Sequence, residues 1–146
     1  MNRRTRHKGG NTVGATERAA VTSVDRSDAV FPGRLRTYLG DGGPKELFVL
    51  GDPNILQKQV LALFCSVKCP GNAILKTYDL ARALRDASVP VIGGFHTPME
   101  KECLDLLLRG TQPIVVCPAR GIEGMRLPQA MKAAVAVLEP ELLKLG

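Results

Sequence analysis

Read for apolar and polar positions, the chain divides near residue 30. Residues 1–30 are polar and basic, with no sustained apolar period, and read as a disordered N-terminal arm. Beyond it, short runs that are apolar throughout alternate with stretches of helical period. FPGRLRTYLGDGGPKE is dense in Gly and Pro and predicts loops with one helical turn. LFVLGDPNILQ predicts a short strand, a Gly-Asp-Pro turn and a helical turn. Val60–Cys65 is an unbroken apolar run that periodicity does not assign, because Ile55, Leu56, Val60, Leu61, Leu63 and Phe64 would also suit a buried helix. The Pro70-Gly71-Asn72 stop favours a buried strand.

The clearest helix is NAILKTYDLARALRDAS. Asn72 can cap it, and Ala73, Leu80, Ala81, Leu84 and Ala87 share a face. VPVIGGF is a strand. TPMEKECLDLLLRG is a second helix, with Pro98 in its first turn and Gly110 just past its end. QPIVVCPA is a further strand and RGIEGMRLP a loop. QAMKAAVAVLEPELLKLG reads as an Ala-rich helix that Pro140 breaks or kinks. Strand and helix thus alternate, and the strands lack the polar-apolar alternation of a half-exposed sheet. That pattern marks a parallel sheet covered on both faces. With right-handed crossovers it predicts one α/β domain over residues 31–146, a three-layer Rossmann-like fold with a mostly parallel sheet.

Composition changes this picture in a few respects. Only 4% of the 146 residues are aromatic and none is Trp, so aliphatic side chains must fill the core. No apolar run is long enough to span a membrane, and no apolar segment follows the basic MNRRTRHKGGN in the manner of a secretory signal. The expectation is a cytoplasmic protein with reduced thiols at Cys65, Cys69, Cys103 and Cys117. Cys65 and Cys69 are spaced C-x3-C, but no second ligand pair is evident and no metal or cofactor is implied. The formal net charge is +6, of which +4 lies in residues 1–46. A basic arm can contact phosphate backbones non-specifically, or be a solvated leader.

Ligands of such sheets bind outside the carboxyl ends of the strands. Three loops leave those ends: SVKCPGN, GGFHTP and PARGIEGMRLP. They contain Ser66, Lys68, Gly71, Gly93, Gly94, Phe95, His96, Thr97, Arg120 and Arg126. Glycines allow close approach, and helix N-termini with nearby Lys or Arg favour an anion. The combination suits a phosphate-bearing ligand, although neither G-x-G-x-x-G nor G-x-x-x-x-G-K-[ST] occurs. Thr97-Pro98-Met99-Glu100 also matches a capping box, so Glu100 is either a cap or a ligand contact. His96 lacks an assigned partner as a general base. Cys69 has a setting that can lower a thiol pKa but no assigned base, and Ser66 lacks a nucleophile elbow. No catalytic residue is assigned.

Residues from about Phe31 to Pro128 resemble the Rossmann-type domain of the DNA-processing protein A (DprA/Smf) family. LFVLGDPNILQ resembles that family's lead-in. LALFCSVKCPGNAILKTYDLARALRDASVPVIGG resembles its strand, Gly-Ser-Arg loop, helix and Ser-Gly strand end. GGFHTPMEKECLDLLLRGTQPIVVCPA resembles its glycine turn, acid-bearing helix and next strand. The overlay makes Val60–Cys65 a strand. The family's Gly-Ser-Arg is Cys65-Ser66-Val67 here, with Lys68 adjacent, and Glu100 takes the acid position. The resemblance implies non-catalytic binding of single-stranded DNA or a nucleotide in DNA processing, uptake or recombination. GGFHTPME is similar as well to a segment of the lysine-decarboxylase-like phosphoribohydrolases. That likeness implies the alternative, an enzyme acting on nucleoside monophosphates. A nucleotide-sensing module without chemistry is the third reading. The Ala/Leu-rich C-terminus suggests a homodimer.

Overall fold

A computed structural model describes residues 20–125 and 135–140. Its centre is a six-stranded sheet of strands β1 (Val21–Asp25), β2 (Glu46–Leu50), β3 (Leu61–Ala62), β4 (Val91–Gly93), β5 (Ile114–Val116) and β6 (Val135–Pro140). Their spatial order is β1-β2-β6-β5-β4-β3. The pairings β3–β4, β4–β5 and β5–β6 are parallel, while β1–β2 and β2–β6 are antiparallel. Helix α2 (Gly71–Asp86) links β3 to β4, and α3 (Pro98–Leu107) links β4 to β5. Helix α1 (Gly33–Leu39) precedes β2.

Alternate residues of the central strands enter two different cores, as the period of two requires. Leu50, Val91, Ile114 and Val137 face α2 and α3, packing with Ala81, Leu84, Met99, Cys103, Leu106 and Leu107. Leu47, Val49, Val115 and Ala136 face the other way, onto Phe31, Ile55, and the partly buried Leu35 of α1. The sheet is therefore covered on both faces, and the predicted three-layer Rossmann-like α/β architecture is what forms.

Four local expectations are corrected. Residues 21–25 are strand β1, held by the full register Val21↔Leu50 to Asp25↔Glu46, so the arm ends before residue 30. Residues 1–19 lie outside the described residues. Val135–Pro140 is strand rather than helix. Ala and Leu favour helix intrinsically, but this segment fills the gap between β5 and β2, where Ala136 and Val137 are buried. Tertiary pairing outweighs local propensity there, and Pro140 is the last residue of the strand, opposite Leu47. Val60–Cys65 yields only a two-residue strand, and it is an exposed edge, not a buried one. Finally, α2 begins at Gly71 behind Pro70 and carries no side-chain cap, so Asn72 lies inside the helix. Its inner face contains Ile74, Tyr78, Ala81 and Leu84, while Leu80 and Ala87 are exposed.

Candidate functional site

Because β3, β4 and β5 are parallel neighbours, the loops after them leave from one edge of the sheet. Cys117 N–H donates to the Gly93 carbonyl at 2.9 Å, tying the ends of β4 and β5 together. The loops after β3 and β4 are tied through Glu100, by a different device.

Glu100 is buried on the first turn of α3. One carboxylate oxygen accepts from Cys65 N–H at 2.9 Å. The other accepts from His96 N–H at 2.8 Å and Thr97 N–H at 3.2 Å. Thr97 Oγ1 in turn accepts from Glu100 N–H at 3.2 Å, completing the expected capping box. Burial is the largest single influence on this carboxyl and opposes ionisation. The N–H groups of Cys65, Thr97 and His96, with the charge of His96, together outweigh it, and the pKa lies below the usual glutamate value. The helix dipole acts in the same direction. The start of α3 therefore already holds an anion, and that anion is its own side chain.

The residues before it are arranged for this contact. Phe95 has φ 53, a left-handed backbone that is uncommon for a side chain of this size. Its ring is buried against Gly93. A Cβ on Gly93 would come within 3.0 Å of the Leu63 carbonyl and 3.2 Å of the Phe95 ring. Gly93 is thus required by packing between β3 and β4. Gly94 lies against the His96 ring, and His96 itself is exposed.

At the start of α2 the situation is reversed. Pro70 offers no side-chain acceptor, and its carbonyl takes the N–H groups of Ala73 and Ile74. Among the described residues, nothing accepts from the N–H of Gly71 or Asn72. Ser66, Lys68 and Gly71 are all exposed, and a Cβ on Gly71 would meet nothing within 4 Å. Lys68 makes no ion pair among the described residues. Arg120 is exposed in the loop after β5, and Arg126 lies outside the described residues.

The thiols belong mainly to the interior. Cys65, Cys69 and Cys103 pack in the core beneath this edge. Burial, followed by the charges of neighbouring Cys65, Glu100 and Cys69, helps push the Cys103 thiol up to about 12. Burial also raises the Cys65 and Cys117 thiols. Cys69 Sγ donates to the Ser66 carbonyl at 3.2 Å. No group of three or more His, Cys, Asp or Glu among the described residues could hold a metal ion.

What sequence reasoning missed is the Glu100–Cys65 bond. Its only signal was an acid at the third helical position, which the capping box explains without a partner 35 residues away. Both helix starts were expected to be capped, α2 by Asn72 and α3 by its capping box, and the missing side-chain cap of α2 shows only in the hydrogen bonds.

Fold and loops together define an α/β protein of Rossmann-like architecture whose strand carboxyl edge has one closed and one open helix start. A solved structure of DNA processing protein A (DprA) from Streptococcus pneumoniae is similar in fold, with a TM-score of 0.63 and 17% sequence identity. The match covers 81% of this chain and 43% of that one, so this chain spans less than half the length of its structural neighbour. The likeness supports a DprA-like fold. No protein family matches the sequence in a scan of known families, and no curated protein matches it either. No described helix is long and apolar enough to cross a membrane.

Proposed function

We propose that the protein binds the phosphates of single-stranded DNA or of a nucleotide, without catalysis, in a DNA-processing role. The observation that carries this reading is the open start of α2, where the N–H groups of Gly71 and Asn72 have no acceptor among the described residues and Lys68 is exposed nearby. Helix N–H groups with an adjacent cation favour a phosphate. Ser66, Lys68 and Gly71 supply the first contact. His96, Thr97 and Arg120 belong to the other strand-end loops of this edge, and Gly93, Gly94, Phe95 and Glu100 shape the edge behind it. The net charge of +6 adds long-range attraction to a polyanion. The similar fold of a protein named for DNA processing supports the choice of ligand class.

A hydrolase acting through Glu100 would need that carboxylate free. Both of its oxygens instead accept from backbone N–H groups, which favours the non-catalytic reading.

The test is fluorescence anisotropy with labelled oligo-dT across a salt series. Affinity should fall steeply as salt rises, and Lys68→Ala should reduce the slope of log K against log salt by about 1. Competition by a nucleoside monophosphate distinguishes a single-nucleotide site from one that needs a strand. Absence of oligo-dT and nucleotide binding at low salt overturns the proposal.

A further inference from the structure

Three of the four cysteines gather on one side of the sheet. Cys65, Cys69 and Cys103 pack into the core beneath α2 and α3, whereas Cys117 packs into the core on the opposite face. Two of the three are brought together from distant parts of the chain. Cys65 follows β3, and its N–H donates to Glu100 Oε1 at 2.9 Å. Cys103 stands three residues after Glu100 on α3, so the two side chains share one face of that helix. The bond from Glu100 to the Cys65 backbone thus brings the Cys65 thiol beside the Cys103 thiol. Burial raises both thiols, and the side-chain hydrogen bond between them then lowers Cys65 and raises Cys103 further. Their accessibility differs as well. Cys103 is fully buried, while Cys65 is partly exposed, between the exposed Phe64 and Ser66. Cys69 is engaged within its own loop, where its thiol donates to the Ser66 carbonyl at 3.2 Å.

We propose that Cys65 and Cys103 form a redox-active dithiol, which a hydroperoxide converts to an intramolecular disulfide. Cys65, the reachable member, attacks as its thiolate. Its sulfur bonds to one peroxide oxygen and the O–O bond breaks. The departing oxygen takes the proton that Cys65 gave up and leaves as water or an alcohol, so that Cys65 becomes a sulfenic acid. The Cys103 sulfur then attacks the oxidised sulfur. An S–S bond forms, the S–O bond breaks, and hydroxide leaves as water with the proton of Cys103. The two thiols lose two electrons and the peroxide gains them. A small dithiol reverses the step by exchange.

Little has to move for this bond to close. Glu100 already ties the Cys65 backbone to α3, and the sulfurs need only pass from contact to about 2 Å. The disulfide joins the end of β3 to α3 and encloses all of α2 and β4. Closing so long a loop removes much of the unfolded chain's freedom, so the oxidised form is the more stable one. Cys117 has no other thiol in its core among the described residues and serves as an internal control. Ser66, Lys68 and Gly71 take no part, so the inference stands apart from phosphate binding.

Exposure of the reduced full chain to hydrogen peroxide, followed by thiol titration, peptide mapping and thermal unfolding, tests the proposal. Both thiols of the pair should be lost from the titration, and the peptide containing Cys65 should be joined to the one containing Cys103. The unfolding midpoint should rise by about 10 °C and fall back on addition of dithiothreitol. Cys65→Ser and Cys103→Ser should each abolish the rise, while Cys69→Ser and Cys117→Ser should keep it. The double variant Cys69→Ser/Cys117→Ser retains only the pair, so it decides the matter even where serine at Cys65 or Cys103 prevents folding. A titration unchanged by peroxide overturns the proposal. So does a bond between Cys65 and Cys69, a bond between two chains, or oxidation of Cys65 beyond the sulfenic acid with Cys103 still free.

Discussion

The starts of α2 and α3 occupy equivalent places, each following a parallel strand at the same edge, yet they are finished in opposite ways. At α3, Thr97 accepts from the N–H of Glu100, and Glu100 accepts from those of His96 and Thr97 and reaches across to Cys65. At α2, Pro70 satisfies nothing with its side chain, and the loop is exposed. A helix start is an anion site only while its N–H groups are unused. Glu100 uses those of His96 and Thr97, so the α3 turn serves as a brace between loops. The α2 turn is the place left for an external anion.

The largest expected effect comes from breaking the brace. Glu100→Ala leaves the N–H groups of Cys65, His96 and Thr97 without their carboxylate and should cost about 3 kcal/mol, measured by urea unfolding. Glu100→Gln keeps one acceptor oxygen and should cost less. The same group gives the pH dependence its sign. Its folded pKa lies below the ordinary value of 4.5, so its contribution is complete above that value and is lost as pH falls through the folded one. Wild type should lose stability on acidification below about pH 4.5, and Glu100→Gln should flatten part of that slope. An identical slope in the variant would remove the carboxylate from the account.

Next comes a contrast between glycines of the two regions. Gly93→Ala forces a Cβ against the Leu63 carbonyl and the Phe95 ring and should cost about 2 kcal/mol. Gly71→Ala meets open space and should be neutral or slightly stabilising, by up to about 1 kcal/mol. Thermal unfolding of both separates a packing glycine from a surface one. Equal losses would contradict the packing argument.

The smallest effect on stability is the sharpest on the comparison. Pro70→Asp gives α2 the acceptor that it lacks, at a position with φ −59 and ψ 149 that suits a cap. It should stabilise the protein by about 1 kcal/mol and weaken oligo-dT binding, making α2 resemble α3. Stabilisation with unchanged binding would move the phosphate contact elsewhere.

The alternation of apolar runs and helical periods was readable because period is a property of neighbouring residues. It located β2, β4, β5, α2 and α3, and the Thr-Pro-Met-Glu box was legible for the same reason. The misreadings share one cause. VAVLEP reads as part of an Ala-rich helix by composition, yet becomes β6 because strands distant in the chain leave a central slot. Val60–Cys65 looks buried by its apolarity, yet lies at an edge because none of the described strands pairs with β3 on its outer side. Strand order depends on pairings between residues far apart, and no local pattern encodes it.

By itself, then, the sequence determined the α/β class, the crossover helices and the capped start of α3, all set by interactions within a few residues. Tertiary structure alone decided which edge of the sheet stays open, that β6 is a strand, and that Glu100 binds Cys65. The reason is physical: each depends on a neighbour from a separate element, brought within bonding distance only when the sheet assembles.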